Sequence, residues 1–280
     1  MNRAYFNGLK AVANQIPPTD LFLLDLFSGA AAAFSFRKLR AAYSGAAIRV
    51  RRSSDDAEQD IGFDLNGDLD TAALSAFVGS GDGFVSVIYD QSTNANNASQ
   101  STIANQPPIV SSGVVSVLNG KPCMVADNRI SEYSLPLLTQ INTVTNSYSV
   151  SSSFNTGSLS INFMYGSATT GNPGLLMERF GTGPWPTGAA IQNLQLKNYN
   201  EQYITTFRED VGNAIIKVNN NSDNNLGTFT PIIIQRILAR RLNQDTLNGQ
   251  FQELIIYPST QGLSDVDAIR SNLNNYYNVY

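Results

Sequence analysis

The run Phe84-Val-Ser-Val-Ile-Tyr89 decides the fold, together with Val114-Val-Ser-Val-Leu118, Pro122-Cys-Met-Val-Ala126 and Ser147-Tyr-Ser-Val-Ser-Ser-Ser-Phe154 further along. In the first and last of these, apolar and small polar residues alternate, the period of a strand with one face buried. Asn119-Gly120 stands between the second and third, and that dipeptide is a tight hairpin signal. Further short runs fall at 160–165, 174–180, 189–196, 202–207, 214–218, 232–238 and 250–257, separated by Gly, Asn, Ser and Thr. Many short strands with polar turns predict an all-β antiparallel sandwich.

Outward from that body, a few helices are expected. Residues 2–15 carry Tyr5, Phe6, Leu9, Val12 and Ala13 on one side, and Pro17-Pro18 stops the run. Residues 1–18 therefore read as an N-terminal attachment arm and 19–280 as a single sandwich domain. Residues 29–43 hold good helix formers, and residues 47–52 then alternate apolar and basic as a strand with one face wet. A short helix is expected over 68–78, with Asp68 or Asp70 as its cap. A last helix is expected over 265–276, capped by Ser264 with Asp267 at its third position. The tail 277–280 can close as a strand.

Composition removes several chemistries. The chain has 280 residues, of which 42% are hydrophobic and only 14% charged. It can therefore bury a large core, and disorder is not expected. Histidine is absent, so no catalytic triad, His-ligated zinc or His base can form. Cys123 is alone, so no internal disulfide forms. The net charge of −4 offers no basic face, which argues against nucleic acid as a partner. No stretch approaches the ~18 apolar residues of a membrane span. The first 16 residues lack a signal peptide's apolar run, so synthesis in a cytoplasm is expected.

Three acidic features remain. Asp64, Asn66, Asp68 and Asp70 alternate, but glycine stands fourth and no glutamate twelfth, so the reading is a turn with a helix cap rather than a calcium loop. Asp55, Asp56, Glu58 and Asp60 follow Arg49, Arg51 and Arg52 and read as surface charge pairing. Asp90 ends a strand in Tyr89-Asp-Gln-Ser92, where a turn that bonds its own backbone competes with a ligand contact. Trp185, in the Gly/Pro-rich segment 181–188, reads equally as a sugar-stacking platform or a loop anchor. The candidate carbohydrate-binding set is Trp185, Asp90, Gln91, Asn94 and Asn97. No metal or cofactor is expected. A glycosidase needs two carboxyl groups ~5–9 Å apart; Glu178, Glu201, Glu209, Asp210, Asp223, Asp245 and Glu253 are available.

Residues 31–110 carry a resemblance. The runs Ser35-Phe-Arg-Lys-Leu-Arg-Ala-Ala-Tyr-Ser-Gly45, Ile48-Arg-Val-Arg-Arg-Ser-Ser-Asp55, Gly67-Asp-Leu-Asp-Thr-Ala72 and Val87-Ile-Tyr-Asp-Gln-Ser-Thr-Asn-Ala-Asn-Asn97 resemble the catalytic domain of α-L-arabinofuranosidase B. Weaker likeness continues at 163–168, 183–185 and 249–253. The resemblance implies a concanavalin-like jelly roll. The family's nucleophilic glutamate falls at Ala189-Ala-Ile-Gln192, its acid/base aspartate near Leu242 and its vicinal cysteines at Ile161-Asn162, so all three hallmarks are missing. Such domains occur in bacteriophage virions. The resulting expectation is a non-catalytic virion structural or adhesion protein, tail- or capsid-associated, which assembles with its own copies and other virion proteins and contacts host surface glycans. Two alternatives stand beside it: a glycoside hydrolase with a rearranged pair, Glu178 with Asp245 or Glu253, and a lectin-like carbohydrate-binding module.

Overall fold

The computed structural model describes residues 22–126, 135–142, 144–153, 161–166, 175–178, 201–228, 233–241, 244–246 and 249–280. Their strands form two large antiparallel sheets, and the expected β-sandwich with a few short helices is what the chain adopts. One sheet runs in the order Ala32–Ser35, Gly249–Tyr257, Asn146–Ser153, Gln202–Asp210, Asn213–Val218, Asn224–Thr228, with Met124–Ala126 also on Gly249–Tyr257. The other runs Leu175–Glu178, Ile161–Gly166, Ile234–Ile237, Leu135–Ile141, Ala98–Ser99, Gly83–Ile88, Ile48–Arg52, Glu58–Ile61. Pro108–Ser111 adds to Gly83–Ile88, and Val114–Val115 to Pro108–Ser111.

Alternation decides which side chains fill the space between the sheets. Phe34, Phe207, Ile216, Phe251, Leu254 and Ile256 from the first sheet meet Ile48, Val50, Val85, Ile88, Ile234 and Ile237 from the second. The opposite face of the first sheet is covered by the helix Leu263–Tyr277. Its Val266, Ile269, Leu273 and Tyr277 recur at the spacing of one helical stripe and pack on Tyr148, Val150, Ile204, Ile255 and Tyr257. Because both faces of Gly249–Tyr257 are covered, this strand is buried almost throughout, and its second half, Leu254–Tyr257, is a continuous apolar run. Val150 pairs with Glu253 and Ser151 with Phe251, which leaves Gln252 as the extra residue of a bulge.

Turn chemistry closes the hairpins. Asn119 and Gly120 sit at φ 50° and 77°, both left-handed, and join Val117–Leu118 to Lys121–Pro122. The short helix is Thr71–Val78, and Asp70, not Asp68, caps it by accepting from the Ala73 amide at 2.9 Å.

Three expectations need correction. Residues 29–43 form no helix: Ala32–Ser35 is a strand paired with Gly249–Tyr257. Propensity loses here because the backbone of this segment is bound from a distance. Ala33 N donates to Asp90 Oδ1 at 2.8 Å, Leu39 N donates to Gln91 Oε1 at 2.8 Å, and Gln91 Nε2 donates to the carbonyls of Ser35 and Arg37. The last helix starts at Leu263 with Gly262 at its cap, so Ser264 lies inside it. The tail does not pair as a strand: Asn278 takes the left-handed conformation that ends the helix. The expected arm at 1–18, Trp185 and the run 189–196 lie outside the described residues.

Candidate functional site

The polar loop after Gly83–Ile88 spends its side chains on the fold. The Asp90 carboxylate is buried and accepts four hydrogen bonds, from the amides of Ala33, Ser92 and Asn96 and from the Ser92 hydroxyl, at 2.7–2.8 Å. Asn97 Oδ1 accepts from the Asp90 amide at 3.0 Å. Asn94 Nδ2 donates to the carbonyls of Ala30 and Ala31. Asp90, Gln91, Asn94 and Asn97 are thus brought together around the 30–40 segment. Beside them is a hollow of about 60 Å³ lined by Ser28, Arg40, Ser92 and Thr93.

The carboxylates divide by sheet. In the first sheet, Glu253 is fully buried. Its Oε2 accepts from Ser35 Oγ at 2.7 Å, Arg37 Nε at 2.8 Å and Tyr277 Oη at 3.0 Å, and its Oε1 accepts from Arg37 Nη2 at 3.0 Å. Burial, with the Glu253 charge beside it, pushes the Tyr277 phenol well up. The Arg37 guanidinium stacks 4.6 Å from the Tyr276 ring centre, and Lys121 Nζ lies 3.9 Å from that centre. Asp68 accepts from Tyr276 Oη and from Lys121 Nζ, so the acidic loop at 64–70 anchors the end of the last helix. Asp210 and Asp223 both hold Arg208, and Glu209 accepts from Gly212 N and Thr260 Oγ1. Asp55 and Asp60 pair with Arg52 and Arg49, the surface pairing expected of the 55–60 run.

Of the acids weighed as a pair, Glu178 belongs to the other sheet and Asp245 to a separate two-stranded hairpin. Glu178 ends Leu175–Glu178 and stands opposite Ile161. Asp245 is the middle residue of Gln244–Thr246, which pairs with Ala239–Arg241 and packs against the same Ile161–Gly166 strand. Leu238 connects Ile234–Ile237 to that small hairpin. It is fully buried and sits at φ 64°, a conformation that non-glycine residues avoid. Such strain costs ~1–3 kcal/mol and gathers where a site needs its backbone held. Here it turns the chain out of the sheet and into the hairpin that carries Asp245. Nothing in the sequence around Leu238 signals this bend. Glu253, by contrast, is separated from Glu178 by the packed core and is committed to Arg37.

Residues 18–135 match the family model for alpha-L-arabinofuranosidase B, catalytic. This segment includes the loop at Asp90 and the strands Ile48–Arg52 and Gly83–Ile88. No curated protein matches the chain in sequence. Among solved structures, an arabinofuranosidase complexed with arabinofuranosyl-α-1,2-xylobiose shares the fold with TM-score 0.59 at 16% identity, over 87% of this chain and 62% of that one. A glutamate-to-glutamine mutant of a GH54 α-L-arabinofuranosidase soaked with 4-nitrophenyl α-L-arabinofuranoside gives TM-score 0.60 at 15% identity, over 90% and 64%. A GH54 α-L-arabinofuranosidase soaked with a cyclic sulfate inhibitor gives 0.55 at 16% identity, over 90% and 64%. At these identities the likeness establishes the jelly-roll fold, and this chain spans about three fifths of the length of the solved chains.

The expectation of a non-catalytic, tail- or capsid-associated virion protein is therefore corrected. The family model that matches residues 18–135 is that of a glycoside hydrolase's catalytic domain, and nothing in the comparisons points to a bacteriophage particle. The inference of lost chemistry rested on counting residues from Gly-Pro-Trp185 and back from Gly249. Counting through loops cannot say which carboxyl groups meet in space, because each insertion shifts the count while the sheet stays in place. The run 189–192 lies outside the described residues.

Proposed function

We propose that this chain carries a glycoside hydrolase domain that cleaves α-L-arabinofuranosyl linkages, with Glu178 and Asp245 as its acid pair. The observation that carries this reading is the family-model match over residues 18–135. The placement of both acids on strands flanking Ile161–Gly166, one of them beyond the strained Leu238, supports the choice of residues. In such a pair, one carboxyl in its acid form protonates the departing glycosidic oxygen. The other, ionised, attacks the anomeric carbon or activates a water. With no histidine in the chain, proton transfer falls to carboxyl groups of this kind.

The test is release of 4-nitrophenol from 4-nitrophenyl α-L-arabinofuranoside. The wild-type chain is expected to release it, and Glu178→Gln and Asp245→Asn are each expected to lower kcat by roughly 100-fold or more. No release by the wild type would overturn the reading. A second reading, an arabinofuranoside-binding module, is favoured by one observation: the matched segment 18–135 contains neither Glu178 nor Asp245. Saturable binding of the same glycoside without turnover would select it.

A further inference from the structure

The geometry points to a second, non-catalytic site for a single neutral sugar ring, on the outer face of the first sheet beneath the opening turns of Leu263–Tyr277. A cleft of about 180 Å³ lies there, lined by the charged Arg208, Lys217, Asp223 and Asp267 and by the apolar Ile215 and Val266. These positions share a face by register: Arg208 stands opposite Ile215 and Thr206 opposite Lys217, while Phe207 and Ile216 point inward to the core. The cleft is smaller than the ~300–1,000 Å³ of a drug-sized pocket, but cavities of about 150 Å³ accept one six-membered ring. Its size therefore suits one ring.

The chemistry selects the class of ring. Two cations and two anions line the cleft, so a net-charged ligand gains nothing from one sign that it does not lose to the other. Donors and acceptors side by side match vicinal hydroxyl groups, and Ile215 with Val266 offers a surface for a sugar's C–H face. Arg208 is held by Asp210 at 2.8 Å and Asp223 at 2.7 Å, so its guanidinium is already oriented. Lys217 is half-buried and makes no ion pair among the described residues. Tyr148, fully buried, stands opposite Thr206 in the sheet, and Asn146 stands opposite Arg208. The site lies across the core from the sheet that holds Glu178, so it is separate from the proposed acid pair.

The choice of a pentose rests on the arabinofuranoside reading above, but the test reads binding rather than turnover, so the two fail separately. L-Arabinose is titrated into the isotopically labelled full chain, and backbone amide resonances are followed. Saturable shifts are expected at Thr206, Lys217 and Val266. Lys217→Ala and Asp267→Ala, both at solvent-facing positions, are expected to weaken the titration at least tenfold. Both should hydrolyse 4-nitrophenyl α-L-arabinofuranoside at the wild-type rate. Unmoved amides at those three positions, or variants that titrate like the wild type, would overturn the proposal. So would inorganic phosphate moving the same amides, because that outcome defines an anion site.

Discussion

Glu253 shows how much a single residue can depend on partners remote in sequence. Its carboxylate is closed off by Ser35, Arg37 and Tyr277, which lie 218, 216 and 24 positions away. Removing one partner of a buried ion pair leaves an uncompensated charge and costs ~3–5 kcal/mol. Glu253→Ala is therefore expected to lower unfolding free energy by that amount in urea titration, and a change under 1 kcal/mol would show the pair to be dispensable. Cys123 is a second case. Burial pushes its thiol from 9.0 up to about 12. The folded state favours the neutral thiol, so this contribution is complete below the ordinary thiol pKa and is lost as pH rises toward about 12. Iodoacetamide at pH 8 is expected to leave the native protein unlabelled and to label it readily in urea. Rapid native labelling would contradict the burial. Asp90 completes the residue scale. The sequence places it correctly at a turn, yet its distant hold on Ala33 has no local sign.

At the scale of elements, alternation and turn dipeptides were legible. Phe84-Val-Ser-Val-Ile-Tyr89 lies over Gly83–Ile88, the run 147–154 over Asn146–Ser153, and Asn119-Gly120 is the expected tight turn. These read well because a strand's period and a left-handed turn are written within a few residues. One turn departs from its own chemistry. Val211 precedes Gly212 at the tip joining Gln202–Asp210 to Asn213–Val218, at φ 48° and 91% exposed. A β-branched residue in that conformation is strained. Val211→Asn, which creates the Asn-Gly pair preferred there, is expected to raise unfolding free energy by about 1 kcal/mol. Equal or lower stability of the variant in a thermal melt would contradict that account. Residues 29–43 are the opposite lesson: alanine-rich local preference for helix gave way to pairing with Gly249–Tyr257 and to the hydrogen bonds of Asp90 and Gln91.

For the whole molecule, the sandwich is completed by its last element. The helix Leu263–Tyr277 covers Tyr148, Ile204, Ile255 and Tyr257, and its end is tied to the body by Tyr276 with Asp68, by Tyr277 with Glu253, and by Asn119 Nδ2 donating to the Tyr277 and Asn278 carbonyls. Deleting residues 263–280 exposes an apolar sheet face and strips Glu253 of a partner. The truncated chain is expected to lose its near-ultraviolet circular dichroism and its cooperative melt, and a native-like cooperative transition would contradict the role assigned to the helix. The candidate site was less legible than the fold. Glu178 and Asp245 could be named from sequence as two acids among seven, but that both their strands adjoin Ile161–Gly166 is decided only by the fold.

The order of apolar and polar residues by itself determined that this chain would be layered sheets, where most strands fall, and which chemistries its missing histidines forbid, because those are properties of a few neighbouring residues or of composition. Only the tertiary structure decided that Ala32–Ser35 is a strand, that Glu253 belongs to Arg37, and that Arg208 and Lys217 line one cleft with Val266. Those outcomes come from contacts between segments tens to hundreds of residues apart, whose strength depends on register and burial rather than on the identity of any neighbour in the chain.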